Sequence, residues 1–229
     1  AALHGYDEIV DSVVKNHARD AELVEFVSVA RLIKDDYEIA EMQKAVDATH
    51  RGFNDVIQAL PAAVITERGE RVVEAAFYGR ARIEGNDLGY ETIAASGPHA
   101  CTLHWITNDG PVNKNDLILL DAGVEVDSLY TADVTRTLPV SGKYTDIQRK
   151  IYDAVLEAAD AAFKVAKPGV KFSDIHQAAM NVIAKKTAEW GLINISAEES
   201  IKQDVQLHRR WMVHGTSHHL GMDVHDCGQ

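Results

Sequence analysis

Two aspartates and a group of histidines are the residues of this sequence whose types and spacing could carry out chemistry. Asp121 and Asp133 lie in two runs rich in β-forming residues, LILLDAGVEV and LYTADVTRTLPV, which a polar turn around Asp127 separates. If Asp127 is the centre of a hairpin, the two aspartates face each other across it, with Cβ atoms about 4.5–5.5 Å apart. Both carboxylates would then emerge on one face of the sheet.

A cation is the simplest partner for such a pair. Like charges directly opposite each other destabilise a sheet, and the apolar run at residues 117–120 predicts a buried site, where unpaired carboxylates are costlier still. No Lys or Arg obviously shares their face, so a divalent cation would supply the positive charge. The alternative is that one carboxylate faces solvent or pairs with Arg136.

Histidines are concentrated near the end of the sequence, where five of the 11 lie between His208 and His225. The segment HGTSHHLG, with its glycines, Ser and Thr, is typical of strand and turn rather than helix. On a strand, His214 and His218 share a face and His219 points away, so we interpret His219 as structural. Carboxylate and imidazole ligands together suit Mn, Co, Zn or Fe(II).

His104 and His225 are weaker candidates when each is taken alone. His104 lies in ASGPHACTLHW, near the first predicted strand, and a lone histidine of this kind is by default a core residue. His225 is followed by Asp226, but neighbours on a strand point to opposite faces, so Asp226 need not orient it.

The elements that must position these residues begin with two predicted helices. Asp35 and Glu38 form a capping box, and apolar residues at helical spacing follow until Pro61, where we expect the helix to end. A second helix is predicted over residues 66–83. A short strand, YETIAASG, and the hairpin come next.

The same order then starts again. A helix capped by Thr145 is predicted to run to about Ala166, and Ser173 is the predicted cap of a helix that runs to about Trp190. The histidine-rich segment follows, without a hairpin that matches residues 117–140. The sequence therefore predicts an α+β fold with two helix–helix–strand–hairpin halves, of which the second is incomplete.

The composition is that of a globular protein with an acidic surface. The chain has 229 residues, 46% of them hydrophobic, and a formal net charge of −12. This charge argues against nucleic acid or an anionic membrane as a partner, because both bind basic patches. No run of about 18 apolar residues predicts a membrane span. Only Cys101 and Cys227 could form disulfides, so a reducing, cytoplasmic location is expected.

Three motifs resemble those of the pita-bread metallopeptidases of the M24 type, in the branch of the Xaa-Pro aminopeptidases and prolidases. The motifs are LLDAGVEVDSLYTADVTRT, HGTSHHLGMDVHD and ASGPHACTLHW. The resemblance covers roughly residues 35–229, which it identifies as a catalytic pita-bread domain without its C-terminal strands. Residues 1–34 resemble the end of an N-terminal domain and its linker.

The resemblance implies a metal-dependent aminopeptidase that releases the N-terminal residue from peptides with proline at the second position. It implies two divalent ions, Mn with Co or Zn as alternatives, bridged by a water molecule or hydroxide, and this metal-activated hydroxide attacks the carbonyl before proline. Asp121, Asp133 and His218 match metal ligands. His104 and His225 match histidines that contact the scissile peptide, and the remaining match is a histidine of the proline pocket, His214.

This sequence departs from the family pattern in two ways. Many family members place the two hairpin aspartates one position closer together, which the turn here would have to absorb. The family also has two further glutamate ligands, and no residue of this chain matches either. We therefore expect an internal piece of a longer aminopeptidase, inactive by itself.

Other interpretations remain open. An Xaa-Pro dipeptidase is the nearest alternative, and substrate length would separate the two. A second is a non-catalytic binding module on the same fold, and a third is a purely structural domain whose acidic pair is solvated. Relatives are often homodimers or homotetramers, so the resemblance also implies a homo-oligomer.

Overall fold

The computed structural model describes residues 8–13 and 17–227, which form two compact units. The first unit contains the described residues up to Gly142 together with the segment that begins at His218, and the second unit is Lys143–Ser217. None of the helices formed by the described residues is long and apolar enough to cross a membrane.

The first unit consists of helices, a small sheet and a short two-stranded ribbon. Its helices are α1 (Glu8–Val13), α2 (His17–Leu32), α3 (Asp36–Val64) and α4 (Gly69–Glu84), and a 3₁₀ helix follows at Gly97–Cys101. Its strands are β1 (Asp87–Leu88), β2 (Ile93–Ser96), β3 (Leu117–Ala122), β4 (Val124–Glu125) and β5 (Val134–Pro139). This mixture of helix and sheet agrees with the predicted α+β class.

Helix α3 begins where the sequence predicts and ends later. The Asp35 side chain accepts a hydrogen bond from the Glu38 backbone, and Glu38 accepts one from the Asp35 backbone, so the capping box is confirmed. The prediction that Pro61 ends the helix is wrong, because α3 continues through it to Val64. Burial of Leu60 and Ala63 in the core on either side of the proline stabilises this last turn.

Helix α4 begins at Gly69 rather than at residue 66. The Thr66 hydroxyl donates to the Ala62 carbonyl (2.8 Å) and its backbone N–H to the Ala63 carbonyl (3.2 Å), so Thr66 completes the end of α3 instead of starting the next helix. The far end agrees with the prediction, since Gly85 caps α4.

The sheet of the first unit packs against the α3–α4 pair. It is antiparallel, with β3 in the centre between β2 and β5, while β1 pairs with β4. Alternate residues of β3 point into the core, where Ile118 and Leu120 are fully buried. Phe53 and Phe77 join the two helices edge to face, with ring centroids 6.0 Å apart.

The second unit is built on two helices, α5 (Asp146–Val165) and α6 (Phe172–Glu189), followed by the short α7 (Ala197–Ser200) and a 3₁₀ helix at Leu207–Arg210. The predicted cap at Thr145 is confirmed, and Gln148 completes a capping box with it. Ser173 does not cap α6, which begins one residue before it. Residues 143–217, all of which the structure describes, form no strand, so the helix pair has no sheet of its own in this unit.

Candidate metal centre

Asp121 and Asp133 lie on neighbouring arms of the hairpin but not directly opposite each other. Asp121 in β3 pairs with Thr135 of β5, while Asp133 lies immediately before β5 begins at Val134. The prediction of a directly opposed pair is therefore wrong. The two aspartates are diagonal neighbours, displaced by two positions, and such a displacement keeps a residue on the same face of a sheet.

The position of the turn explains the displacement. The strand register centres the hairpin on Ser128 instead of Asp127. The Ser128 hydroxyl donates to Glu41 (2.8 Å) and the Tyr130 hydroxyl to Glu38 (2.8 Å), and both glutamates lie on α3. These contacts with the helix determine where the turn falls, and the local sequence of the turn does not reveal them.

The two carboxylates converge on one hydroxyl group, that of Tyr90. This hydroxyl is hydrogen-bonded to Asp121 Oδ1 and lies 2.8 Å from Asp133 Oδ1. A phenol has one proton and can donate it to only one carboxylate at a time. Burial raises the pKa of Asp121 and the nearby Asp133 raises it further, although the Tyr90 hydrogen bond opposes both effects. Tyr90 thus offers one proton to two carboxylates, and a side-chain hydrogen bond from Thr135 also lowers the pKa of Asp121.

Close approach of the backbone beside the carboxylates depends on Gly123. A Cβ atom at this position would lie 1.6 Å from the carbonyl oxygen of Ala132, the residue before Asp133. Any side chain would therefore separate the two arms of the hairpin, and with them the two carboxylates.

His218 is the third predicted ligand, and it contacts Asp133 directly. Its Nε2 lies 3.0 Å from Asp133 Oδ2, and its Nδ1 lies 3.0 Å from the backbone oxygen of His219. Because a carbonyl only accepts, Nδ1 carries the hydrogen. Nε2 is then the nitrogen that faces the carboxylate, and it is the one that would bind a metal ion once it carries no hydrogen. The ring of His225 stacks on that of His218, with centroids 4.0 Å apart.

These donors fit a divalent cation by their chemistry. Two carboxylates and an imidazole are joined in a line of contacts through Tyr90, and no ion pair with Arg136 is among the interactions of the described residues. Arg136 is exposed and donates instead to the Thr135 carbonyl (2.7 Å). Within residues 8–13 and 17–227, no three His, Cys, Asp or Glu side chains form a complete ligand group. The assignment of the metal ligands stays a prediction.

The remaining predicted site residues have different surroundings. His104 is exposed, and its side chain forms no hydrogen bond or ion pair with any described residue. The ring of His225 stacks on that of His218, and no contact of His225 with Asp121 or Asp133 is among the interactions of the described residues. His214 belongs to the second unit and is exposed, with Nδ1 2.6 Å from the Gly215 carbonyl oxygen. The roles predicted for these three histidines are not tested by such contacts.

A buried glutamate, Glu70, organises the loop that carries His104, and the sequence reasoning missed it. Its side chain is fully buried and accepts four hydrogen bonds. Their donors are the Ser96 and Gly110 backbones, the Trp105 indole and the His99 ring, at 2.7–2.9 Å. The ring of His99 also stacks on that of Trp105. The loop between β2 and β3 is thus tied to the start of α4.

The electrostatics of Glu70 follow from this arrangement. Burial alone would raise the pKa of the carboxyl group, but the hydrogen bonds from Ser96, Trp105, His99 and Gly110 outweigh it, so the pKa lies below its ordinary value. A sequence signal for its burial does exist. Glu70 stands at helical spacing from Val73 and Phe77, on the apolar face of α4, where a solvated glutamate would not be expected.

Comparisons with known proteins agree with this description. A model of metallopeptidase family M24 matches residues 40–229. Xaa-Pro aminopeptidase 1 of Streptomyces coelicolor is 52% identical over 98% of this chain, which covers 46% of that protein. Xaa-Pro aminopeptidase 2 of the same organism is 50% identical over 99% of this chain and 48% of its own length. The chain thus spans about half the length of these curated relatives.

Solved structures show the same fold. Zn-substituted Escherichia coli aminopeptidase P in complex with product superposes with a TM-score of 0.78 at 32% identity, over 87% of this chain and 44% of that one. Pseudomonas aeruginosa aminopeptidase PepP gives a TM-score of 0.77 at 31% identity, over 95% of this chain and 53% of that one. The predicted pita-bread fold and the predicted family resemblance are both confirmed.

Proposed function

The chain belongs to metallopeptidase family M24, and we propose that the native protein that carries it is a metal-dependent aminopeptidase acting on Xaa-Pro peptides. It would release the N-terminal residue when proline is at the second position. The observation that carries this proposal is the line of contacts from Asp121 through Tyr90 and Asp133 to His218, in a chain 52% identical to an Xaa-Pro aminopeptidase.

In this proposal Asp121, Asp133 and His218 hold divalent ions, and two glutamates outside this chain complete the ligand set. Family membership implies divalent metal, and we propose two ions, Mn by preference with Co or Zn as alternatives. When bound, the ions would activate a water molecule near neutral pH and stabilise negative charge on the carbonyl oxygen of the substrate.

The protein residues orient the ligands and the peptide. The Tyr90 hydroxyl holds the two carboxylates together, and the His219 carbonyl fixes the ring of His218 so that Nε2 faces Asp133. We propose that His225, stacked on His218, contacts the scissile peptide through a ring N–H, and that the exposed His104 contacts it as well. A further histidine, His214, is proposed to line the pocket that receives proline.

The direct test measures how the native protein cleaves two short peptides in the presence of Mn²⁺. We expect release of alanine from Ala-Pro-Ala, and none from Ala-Ala-Ala. Treatment with a chelator should abolish this release, and added Mn²⁺ should restore it. Equal cleavage of the two tripeptides, or full activity in excess chelator, would show that the proposed function is wrong.

The same assay separates the alternatives. Cleavage of Ala-Pro without cleavage of Ala-Pro-Ala would identify an Xaa-Pro dipeptidase. A non-catalytic binding module would cleave neither peptide and would contain no stoichiometric metal on elemental analysis. The homodimer or homotetramer and the cytoplasmic location belong to the proposal as well, and light scattering and cell fractionation would test them.

A further inference from the structure

Asp226, next to His225, is a buried carboxylate held by two cations. Its side chain is only 1% exposed, and each of its oxygens has its own partner. Oδ1 lies 2.5 Å from Arg31 Nη2, and Oδ2 lies 2.7 Å from Lys34 Nζ. A buried charge is costly unless its oxygens are paired and hydrogen-bonded, and this arrangement meets both conditions. Burial would raise the pKa of Asp226, but the hydrogen bond from Lys34 and the charge of Arg31 help to hold it below its ordinary value.

The two cations come from the junction of α2 and α3. Arg31 lies at the end of α2, and Lys34 stands directly before Asp35, the cap of α3. The Lys34 ammonium group also donates to the Arg31 carbonyl (2.7 Å). This hydrogen bond within the junction helps to fix the position of the ammonium group. Residues 31–34, which the sequence places in a linker, therefore hold the segment that begins at His218.

Hydrogen bonds to one backbone carbonyl connect Asp226 with the proposed ligand His218. The Asp226 N–H donates to the carbonyl oxygen of His219 (3.0 Å), and the same oxygen accepts from Nδ1 of His218 (3.0 Å). His225 directly precedes Asp226 in the chain. The ring of His225 stacks on that of His218. The orientations of both imidazoles are thus tied to the position of one carboxylate.

The segment has a second attachment, on the side of the hairpin. Thr131, two residues before Asp133, donates its backbone N–H to the Gly221 carbonyl (2.9 Å). A Cβ at Gly221 would lie 2.1 Å from Asp226 Oδ2 and 3.0 Å from Lys34 Cε, so a side chain there would displace the carboxylate from its cation. The backbone at Gly221 is therefore fitted to the ion pair.

We propose that Asp226, held by Arg31 and Lys34, is a positioning residue that sets the ring orientations of His218 and His225. The inference rests on the proposed function, because it assigns Asp226 a part in that site. It makes the α2–α3 junction a component of the site and not only a connection between elements. Asp226 itself touches neither the proposed metal nor the substrate in this assignment.

The test compares Lys34→Met with Lys186→Met in the native protein. Both substitutions keep the apolar stem and remove an ammonium group that lies 2.7 Å from a carboxylate, but Lys186 pairs with Glu157 in the second unit. We expect Lys34→Met to lower kcat about tenfold with KM changed less than twofold, and to weaken Mn²⁺ binding about tenfold. Lys34→Arg should recover most of the kcat and most of the Mn²⁺ affinity, and Lys186→Met should resemble the wild type.

A readout independent of peptidase activity uses the metal-free protein labelled in its histidine rings. The wild type should give a nuclear Overhauser effect between the rings of His218 and His225, and Lys34→Met should weaken it. If Lys34→Met and Asp226→Asn lower Tm but leave this effect and the Mn²⁺ affinity equal to those of Lys186→Met, the role is purely structural and the inference is wrong. A wild-type protein that cleaves no Xaa-Pro peptide would contradict the proposed function instead, and the ring measurement would still decide on Asp226.

Discussion

The imidazole Nε2 of His218 lies 3.0 Å from carboxylate Oδ2 of Asp133. The two residues are far apart in the sequence, and each is fixed by a different neighbour, Asp133 by the Tyr90 hydroxyl and His218 by the His219 carbonyl. A ligand pair held in this way is oriented before any cation binds, which reduces the entropy that binding must overcome.

Removing the Tyr90 hydroxyl should destabilise the metal-free protein. In Tyr90→Phe, Asp121 and Asp133 lose their shared donor while they stay partly buried, and an unsatisfied buried acceptor costs about 1–3 kcal/mol. We expect a decrease of that size in the free energy of unfolding, measured with urea. Added Mn²⁺ should narrow the difference. Tyr78→Phe, at an exposed position on α4, is the control and should change the stability by less than about 0.5 kcal/mol. Equal effects of the two substitutions would contradict the role of Tyr90.

Glu70 should make the stability of the protein dependent on pH. Its carboxyl has a pKa below the ordinary value of 4.5, so the unfolded state binds more protons than the folded state as the pH falls below 4.5. The stabilisation by Glu70 is therefore fully present above pH 4.5 and is lost as the pH falls through the folded-state pKa. Glu70→Gln should cost about 1–3 kcal/mol at pH 7, because buried donors lose their charged acceptor.

The measurement for Glu70 is the free energy of unfolding of wild type and Glu70→Gln at several pH values. The difference between them should shrink as the pH is lowered from 5 towards 3. Glu67→Gln, an exposed position just before α4, is the control and should show little difference at any of these pH values. If the difference in the free energy of unfolding between wild type and Glu70→Gln stays constant with pH, Glu70 is not ionised in the folded protein as described.

Much of the first unit follows from local sequence signals. The capping box at Asp35, the apolar run of β3 and the paired helices are all expressed in residues close together in the chain. The register of the hairpin could not be predicted in this way, because Ser128 and Tyr130 are fixed by glutamates on α3. The prediction at Pro61 fails for a similar reason, since tertiary burial of its neighbours outweighs the local cost of a proline in the last helical turn.

In the candidate site, too, local sequence signals predicted some features and tertiary contacts decided others. The residue types and spacing of Asp121, Asp133 and His218 identified a group that the structure connects by contacts. Tyr90 was not identified, because a tyrosine in a short strand-like run has no local signal that it bridges two carboxylates. Asp226 was set aside on the assumption that the segment is a regular strand. Residues 218–226 instead form an irregular loop, so the alternation of faces does not apply.

Two glycines should respond in opposite ways to substitution by alanine. Gly123→Ala places a Cβ 1.6 Å from the Ala132 carbonyl oxygen, so the hairpin must open, and we expect a loss of more than about 3 kcal/mol or no folded protein. Gly79 lies inside α4, and a Cβ added there would meet no atom within 4 Å, so Gly79→Ala should raise the free energy of unfolding by about 0.5–1 kcal/mol. Thermal and urea unfolding would measure both, and a stable Gly123→Ala variant would contradict the close approach.

Mn²⁺ titration of the metal-free native protein, with the free ion measured by electron paramagnetic resonance, tests most directly whether Asp133, with Asp121 and His218, holds divalent metal. Wild type and His50→Ala, a control at an exposed position on α3, should bind Mn²⁺ with the same affinity. Asp133→Asn should bind it at least about tenfold more weakly. Unchanged Mn²⁺ affinity in Asp133→Asn would show that the metal centre is not built on these residues.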